Sequence, residues 1–476
     1  MDLSSSLKFD TLHSLIYIIY LNQKGEKKMA MRRFKKVVFF VSLVSFYLLW
    51  SPDVHAVPSF ARQTGMECSD CHTIFPELTP IGRTFKLNGY VQSKSDKPYE
   101  FPPPISAMAQ LSYTNAGGLT DGVAPWDSNN RATDKTNLPQ ALSLFYGGKI
   151  YGNLGAMVQG TYSGPDNHTS LDNTDIRYAR KTSLGGKDLV YGITINNNPS
   201  VEDLWNTTPA WRFPFASSSV APTPTASPLI DGGLAQQVGG IGAYTLWNDL
   251  IYLEAAVYRT TSNGITEFLG AGTPTDTVVD GAVPYWRVAL QKQWNEGSLA
   301  IGTYGLVANV FPSGATSGPT DRFTDIAVDA QYQYIRQKYR ITLETTWIHE
   351  KQEWNASFSQ GDTANSSDTL STFRTNINYY YRSSFGDIGG TVSYFNIWGS
   401  SDAILYAPAQ QSGSATGSPS SNGFTFEADY VPWKYSKFSL QYVLYNEFNG
   451  GHRNYDGFGT NASFNDTVYL LAWFAF

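Results

Sequence analysis

Cys68-Ser69-Asp70-Cys71-His72 holds the only two cysteines of the 476-residue chain. Two thiols separated by two residues, with a histidine directly after the second, is the arrangement that attaches a c-type haem. Two thioethers tie the macrocycle to the peptide and the imidazole becomes the proximal iron ligand, so the chemistry to expect is one-electron transfer. A chance match, a two-cysteine redox pair and a zinc site are the competing readings. A structural zinc wants four ligands, and the sequence contains no second cysteine–histidine pair to supply them.

The elements around the motif say where such a centre would work. Met31-Arg32-Arg33-Phe34-Lys35-Lys36 reads as the basic start of an export signal, Val37 to Leu49 as its apolar core and Val54-His55-Ala56 as its cleavage site. The mature chain is then expected to begin at Val57. Residues 1–28 fit no part of this pattern, and Leu15 to Leu21 is too short to cross a bilayer, so the expected translation start is Met29 or Met31. Residues 1–56 are set aside from the fold as upstream extension plus signal. Their loss removes eight Lys or Arg and four Asp or Glu, which moves the formal charge from 34 − 40 = −6 to 26 − 36 = −10. That acidity argues against nucleic acid as a partner and concentrates cations near the protein.

From Ile105 onward the chain alternates with a period of two. In Thr324 to Tyr334 one parity reads Ile326, Val328, Ala330, Tyr332, Tyr334 and the other Asp325, Ala327, Asp329, Gln331, Gln333, which describes strands with one greasy and one wet face. A soluble sandwich alternates too, but connection lengths separate the cases. Tight turns are expected at Gly152-Asn153, Gly185-Gly186, Asn248-Asp249, Glu296-Gly297, Gln337-Lys338, Ser384-Phe385-Gly386 and Pro432-Trp433-Lys434. Longer polar loops fall near 115–137, 164–172, 198–235, 262–282, 310–321, 353–368, 400–422 and 450–462. Seven turns and eight loops make sixteen strands, so the expected fold is an all-β, 16-stranded antiparallel transmembrane barrel of the outer membrane, with both termini on the periplasmic turn side and a water-filled lumen. The last strand agrees. Val468, Leu470, Ala472, Phe474 and the terminal Phe476 share one face, suited to lipid and to the machinery that assembles such barrels.

Residues 57–104 are left as a small helical c-type cytochrome plug ahead of the 105–476 barrel. Under fifty residues rarely build a self-sufficient core without a staple; haem and the barrel wall are the staples available. Thr79 is placed to cap a short helix with Pro80 at its first position, running through Ile81, Phe85 and Leu87 and stopping at Gly89. Phe75, Ile81, Phe85 and Leu87 are the expected haem contacts, although core packing explains them equally well.

A distal iron ligand has few candidates. His168, His349 and His452 fall in or beside the outer loops, and His349 shares the lipid-facing parity of Ile341 and Trp347. Met108 instead shares the wet face of Ser106, Gln110, Ser112 and Thr114, and Met157 that of Gln159, Thr161 and Ser163. Met108 is the first choice, with Met157 and Met66 behind it, and a thioether ligand raises the haem potential. Among lumen-parity charges, Arg287, Arg340 and Arg374 are candidates to pair with haem propionates. Glu254, Asp325, Asp329, Glu344, Glu427 and Asp429 are candidates to guide a hard divalent cation. A salt-bridge mesh along a solvated wall is the simpler account of any one of these charges.

The stretch Pro58-Ser59-Phe60-Ala61-Arg62-Gln63-Thr64-Gly65-Met66-Glu67 before the motif resembles the haem-binding segment of the fused monohaem cytochrome-porins of iron-oxidising bacteria. Pro76-Glu77-Leu78-Thr79-Pro80-Ile81-Gly82-Arg83-Thr84-Phe85-Lys86-Leu87-Asn88-Gly89-Tyr90 after it is similar to theirs, and Asn197-Asn198-Pro199 through Trp205 and Trp211 also looks like theirs. The resemblance implies one covalent haem c, extracellular Fe(II) as electron donor and a periplasmic c-type cytochrome or cupredoxin as acceptor. Two alternatives stand beside it: a diffusion porin whose haem plug is regulatory, and a conduit exporting electrons to external acceptors.

Overall fold

The computed structural model describes residues 58–116, 136–260 and 277–476. The proposed signal, the upstream extension and most of the first and fourth loops lie outside them. Three short helices come first, α1 (Ser59–Thr64), α2 (Cys68–Cys71) and α3 (Pro80–Leu87). The strands follow: β1 (Ile105–Ala116), β2 (Thr136–Tyr151), β3 (Leu154–Ser163), β4 (His168–Leu184), β5 (Lys187–Asn196), β6 (Val238–Trp247), β7 (Ile251–Thr260), the two-residue β8 (Val278–Val279), β9 (Val283–Trp294), β10 (Gly297–Phe311), β11 (Asp321–Ile335), β12 (Tyr339–Glu353), β13 (Ser367–Ser383), β14 (Gly386–Gly399), β15 (Ser421–Val431), β16 (Ser436–Glu447) and β17 (Thr467–Ala475).

All pairings are antiparallel, and apart from the β1–β17 closure and the short β8, which pairs with β10 while β7 meets β9, they join sequence neighbours. The sheet closes on itself because β1 pairs with both β2 and β17: Met108 stands opposite Ser143 on one side and Ala475 on the other. Sixteen long strands therefore form a closed antiparallel barrel with no free edge, the condition under which strands can cross hydrocarbon. The seven tight turns fall where the sequence puts them. Asn248 and Asp249 have φ of 55° and 51°, the left-handed pair of a hairpin turn whose twist matches its strands.

The alternation predicted along the strands is the observed one. Ile193, Ile241, Leu253, Ile301, Val328 and Leu343 point outward and are exposed, whereas Asp325, Asp329, Gln331 and Glu344 are buried in the lumen. On the last strand Val468, Leu470 and Phe476 face out while Tyr469 and Leu471 face in. His349 lies on the outward parity, stacked against Trp347. Near the tight turns Trp294, Tyr332, Tyr379, Tyr381 and Trp433 stand exposed, where aromatic rings suit a membrane–water interface.

The helices of residues 58–104 sit inside the turn end of the barrel and form one compact unit with it. The Arg83 guanidinium donates to Gln331, Gln333 and Ser298 at 2.9, 2.6 and 2.7 Å, reaching β10 and β11. Glu77 accepts from Thr342 on β12 and Asn378 on β13, both at 2.8 Å. Tyr90 donates to Asp175 on β4 at 2.5 Å, and Gln63 accepts from the Lys149 amide on β2 at 2.8 Å. The plug is thus tied to wall strands on opposite sides of the barrel.

The long connection 197–237 departs from the expectation of an outer loop. It folds into the lumen, with Val201, Glu202, Leu204, Trp205 and Thr208 at most 1% exposed. Its far part is stitched to the wall where the Leu229 and Ile230 amides donate to Glu350 and Asp325 at 2.6 and 2.8 Å. Lumen carboxylates and the apolar residues Val201, Leu204 and Trp205 give this loop more to bind inside the barrel than in water. It forms a second layer directly above the plug.

Candidate haem-binding site

Between plug, wall and inward loop lies a cavity of about 580 Å³ lined by Cys68, Cys71 and His72. That volume is within the roughly 300–1,000 Å³ usual for cofactor sites. The motif is held by local structure. Glu67 caps α2 by a reciprocal pair of bonds with Asp70, its amide donating to the Asp70 carboxylate at 2.9 Å. Thr79 then does two jobs: its hydroxyl donates to the Asp70 carbonyl at 2.5 Å and accepts from the Gly82 amide at 3.3 Å, capping α3 as the sequence predicts. A side chain at Gly82 would bring a Cβ to 2.3 Å from the Cys71 carbonyl oxygen, so α3 lies against the motif only because that residue is glycine.

His72 Nδ1 donates to the Pro76 carbonyl at 3.2 Å. A carbonyl can only accept, so Nδ1 carries the proton and Nε2 is left with its lone pair free. Burial lowers the His72 pKa against the pull of backbone hydrogen bonds, which favours the neutral imidazole that binds a metal. Both thiols are raised by burial, Cys71 to about 11, and neither is in a disulfide. Burial thus disfavours the thiolate that a dithiol redox pair needs.

Around these groups the lining is aromatic. Phe60, Phe85 and Tyr90 form a cluster with ring centroids 5.0 to 5.9 Å apart, and Phe75, Phe145, Trp211 and Trp473 complete it. All three methionines singled out in the sequence, Met66, Met108 and Met157, line the same cavity, and Met108 is the most buried of them. One polar group is left over: Arg212, on the inward loop, lines the cavity, is paired through one nitrogen with Asp231 at 2.5 Å, and keeps a buried Nη1 without a partner. An apolar slot with two thiols and an imidazole at one side, thioethers in its wall and a guanidinium nitrogen lacking an acceptor fits a haem with its propionates.

Several expected contacts are different. Ile81 is 49% exposed and faces away from the cavity. Leu87 packs instead with Leu204, Trp205 and Tyr244. Arg287 and Arg340 lie outside the cavity lining: Arg287 is held between Asp203 at 3.3 Å and Asp329 at 2.6 Å, and Arg340 binds the Thr73 carbonyl and Asp387. Arg374 lies over the Phe395 ring, outside the cavity lining. Sequence reasoning missed Arg212, and noted Trp211 only as part of the resemblance, because it placed their loop outside the barrel; two tryptophans and an arginine within a polar loop were the available signal.

Lys86 joins the layers. Its ammonium donates to the Val201 and Asp203 carbonyls, both at 2.7 Å, and lies 4.6 Å from the Trp211 ring centroid. Burial brings its pKa down to about 7.

No protein-family model and no curated protein matches the chain. Among solved structures, the anion-selective porin from Comamonas acidovorans aligns over 78% of this chain and 98% of its own at 10% identity, with a TM-score of 0.42. The outer membrane channel DcaP of Acinetobacter baumannii covers 78% and 96% at 11% identity, with a TM-score of 0.40. OmpT of Vibrio cholerae covers 78% and 96% at 9% identity, also with a TM-score of 0.40. The barrel assignment rests on the closed strand pairing and not on these likenesses.

Proposed function

We propose that this chain is an outer-membrane electron conduit: an Fe(II) oxidase that takes one electron from extracellular Fe(II) into a single haem c and passes it to a periplasmic c-type cytochrome or cupredoxin. The observation that carries the reading is the convergence of Cys68, Cys71, His72, three methionines and an unpaired Arg212 nitrogen on one aromatic cavity. The haem, when bound, supplies the one-electron redox chemistry.

The chain's own residues do the rest. Cys68 and Cys71 would fix the group covalently, and the Pro76 carbonyl holds His72 in the tautomer that offers Nε2. Met108 is the proposed distal ligand, buried on β1 directly after the plug. Phe60, Phe85 and Tyr90 exclude water from the centre, and Arg212 offers a guanidinium to a carboxylate. Ser69, Asp70 and Glu67, on the turn side of the motif, mark the face proposed for the periplasmic carrier. With the tight turns in the periplasm, the loop end receives the reductant.

The competing reading is a diffusion porin regulated by its plug, which needs an open path past both plug and inward loop. Export of electrons uses the same architecture and differs in potential and partners. One experiment separates the three: mixing the detergent-solubilised protein with Fe(II) while following the haem spectrum, with the midpoint potential measured alongside. Rapid haem reduction that is lost in Cys68→Ala/Cys71→Ala supports the oxidase. Absence of reduction, together with ion conductance in planar bilayers, supports the porin, and a potential far below that of the Fe(III)/Fe(II) couple supports export.

A further inference from the structure

Above the plug, Glu202 of the inward loop and Glu254 of β7 are 0% and 5% exposed. Each carboxylate has one oxygen anchored and one bare. Glu202 Oε1 accepts from the Asn196 amide, and Glu254 Oε2 accepts from the Tyr252 hydroxyl at 2.8 Å. Glu202 Oε2 and Glu254 Oε1 have no partner. The charge acting most strongly on Glu202 is the Glu254 carboxylate, and the two carboxyl groups are within hydrogen-bonding reach. The fully buried Tyr258 hydroxyl stands beside Asn196, the residue that anchors Glu202, and has no hydrogen-bond partner of its own.

Charge counting sharpens the problem. The buried carboxylates of this layer are Asp175, Glu202, Asp203, Glu254 and Asp329, and the cations among them are Lys86, Arg177 and Arg287. Five minus three leaves two negative charges in a site shut off from water, where unpaired charge is strongly disfavoured.

We propose that Glu202 and Glu254, with the Tyr258 hydroxyl, form a binding site for one hard divalent cation. Each glutamate presents its bare oxygen and the cation balances the two surplus charges. Oxygen donors of this kind suit Mg(II), Mn(II) or Fe(II). Asn196 and Tyr252 orient the two carboxylates from behind, as outer partners do in metal sites. Occupancy by Fe(II) itself rests on the oxidase reading above, whereas the site does not.

The test uses Mn(II), which the haem neither oxidises nor reduces, as the probe on the full-length protein in detergent. Paramagnetic resonance of bound Mn(II) should show one ion per chain, in wild type and in Cys68→Ala/Cys71→Ala alike. Glu202→Gln and Glu254→Gln should each weaken that binding by about tenfold or more, and Tyr258→Phe by less. Absence of a stoichiometric ion at millimolar Mn(II), or binding unchanged in both Gln variants, overturns the proposal and leaves two protons as the balancing charges. If the Gln variants fail to assemble, anomalous scattering from Mn(II)-soaked wild-type crystals decides, by density between the two carboxylates or none. Mn(II) binding with no Fe(II) oxidation would reject the oxidase reading alone.

Discussion

Met108 is a thioether on the lumen face of β1, in a row otherwise made of Ser106, Gln110, Ser112 and Thr114. Packing alone gives little reason for sulfur there, and the cavity it lines gives a direct one. Met108→Ala should move the haem spectrum away from a sulfur-ligated form and lower the midpoint potential by a readable part of the roughly 0.8 V that axial ligands command. Met157→Ala should do less. Unchanged spectrum and potential in Met108→Ala would send the search to Met66 or Met157. At this scale the sequence was legible where chemistry is local. The two cysteines and the histidine are adjacent in the chain, and Met108 and Met157 follow from strand parity. Arg212 was not legible, because its place depends on a loop turning inward, which no local periodicity records.

Elements enter through their contacts, and the closest is between α3 and the haem motif. Gly82 is what lets the two helices touch. Gly82→Ala puts a methyl against the Cys71 carbonyl oxygen, an overpacking that costs about 1–3 kcal/mol. It should lower the yield of covalently attached haem in whole cells while the barrel still assembles; a normal haem-to-protein ratio would refute the close packing. The plug's hold on the wall has a pH signature through Glu77. Burial raises the Glu77 pKa despite hydrogen bonds from Thr73, Thr342 and Asn378. The folded state therefore keeps a proton that the unfolded chain loses above about 4.5, so folded stability declines as pH rises from there toward the raised value. Relative to Glu77→Gln, the wild-type plug should lose thermal stability between pH 4.5 and pH 7, and equal pH dependence in the two proteins would refute the buried proton on Glu77. The helix itself was readable, since Thr79, Pro80 and Gly89 are local signals. Its orientation was not: Ile81 turned out and Leu87 packed on Trp205, because the partner of each face is a wall or loop more than a hundred residues away.

At the scale of the molecule, a sixteen-strand barrel is wide enough for water, and this one is filled in two layers by its own chain. The wall follows from period-two alternation and turn spacing, both written along the sequence. The filling does not, since the same polar residues serve a solvated wall and a docking surface equally well. Closure of the wall depends on β17 pairing with β1 and β16. Phe476 is exposed on the lipid side of that seam, and its backbone exchanges hydrogen bonds with Ala107, at 3.1 Å through its carbonyl and 2.8 Å through its amide. Deleting Phe476 removes both bonds and the terminal aromatic. Replacing it with Ser keeps the backbone bonds and removes only the ring. The deletion should sharply reduce the folded, heat-modifiable barrel recovered in outer-membrane fractions, and Phe476→Ser should reduce it less, the difference reporting the worth of the two seam bonds. Recovery of the unaltered mature chain as a soluble protein without detergent would contradict the membrane barrel itself, since the exposed Ile, Leu and Val belt has no place in water.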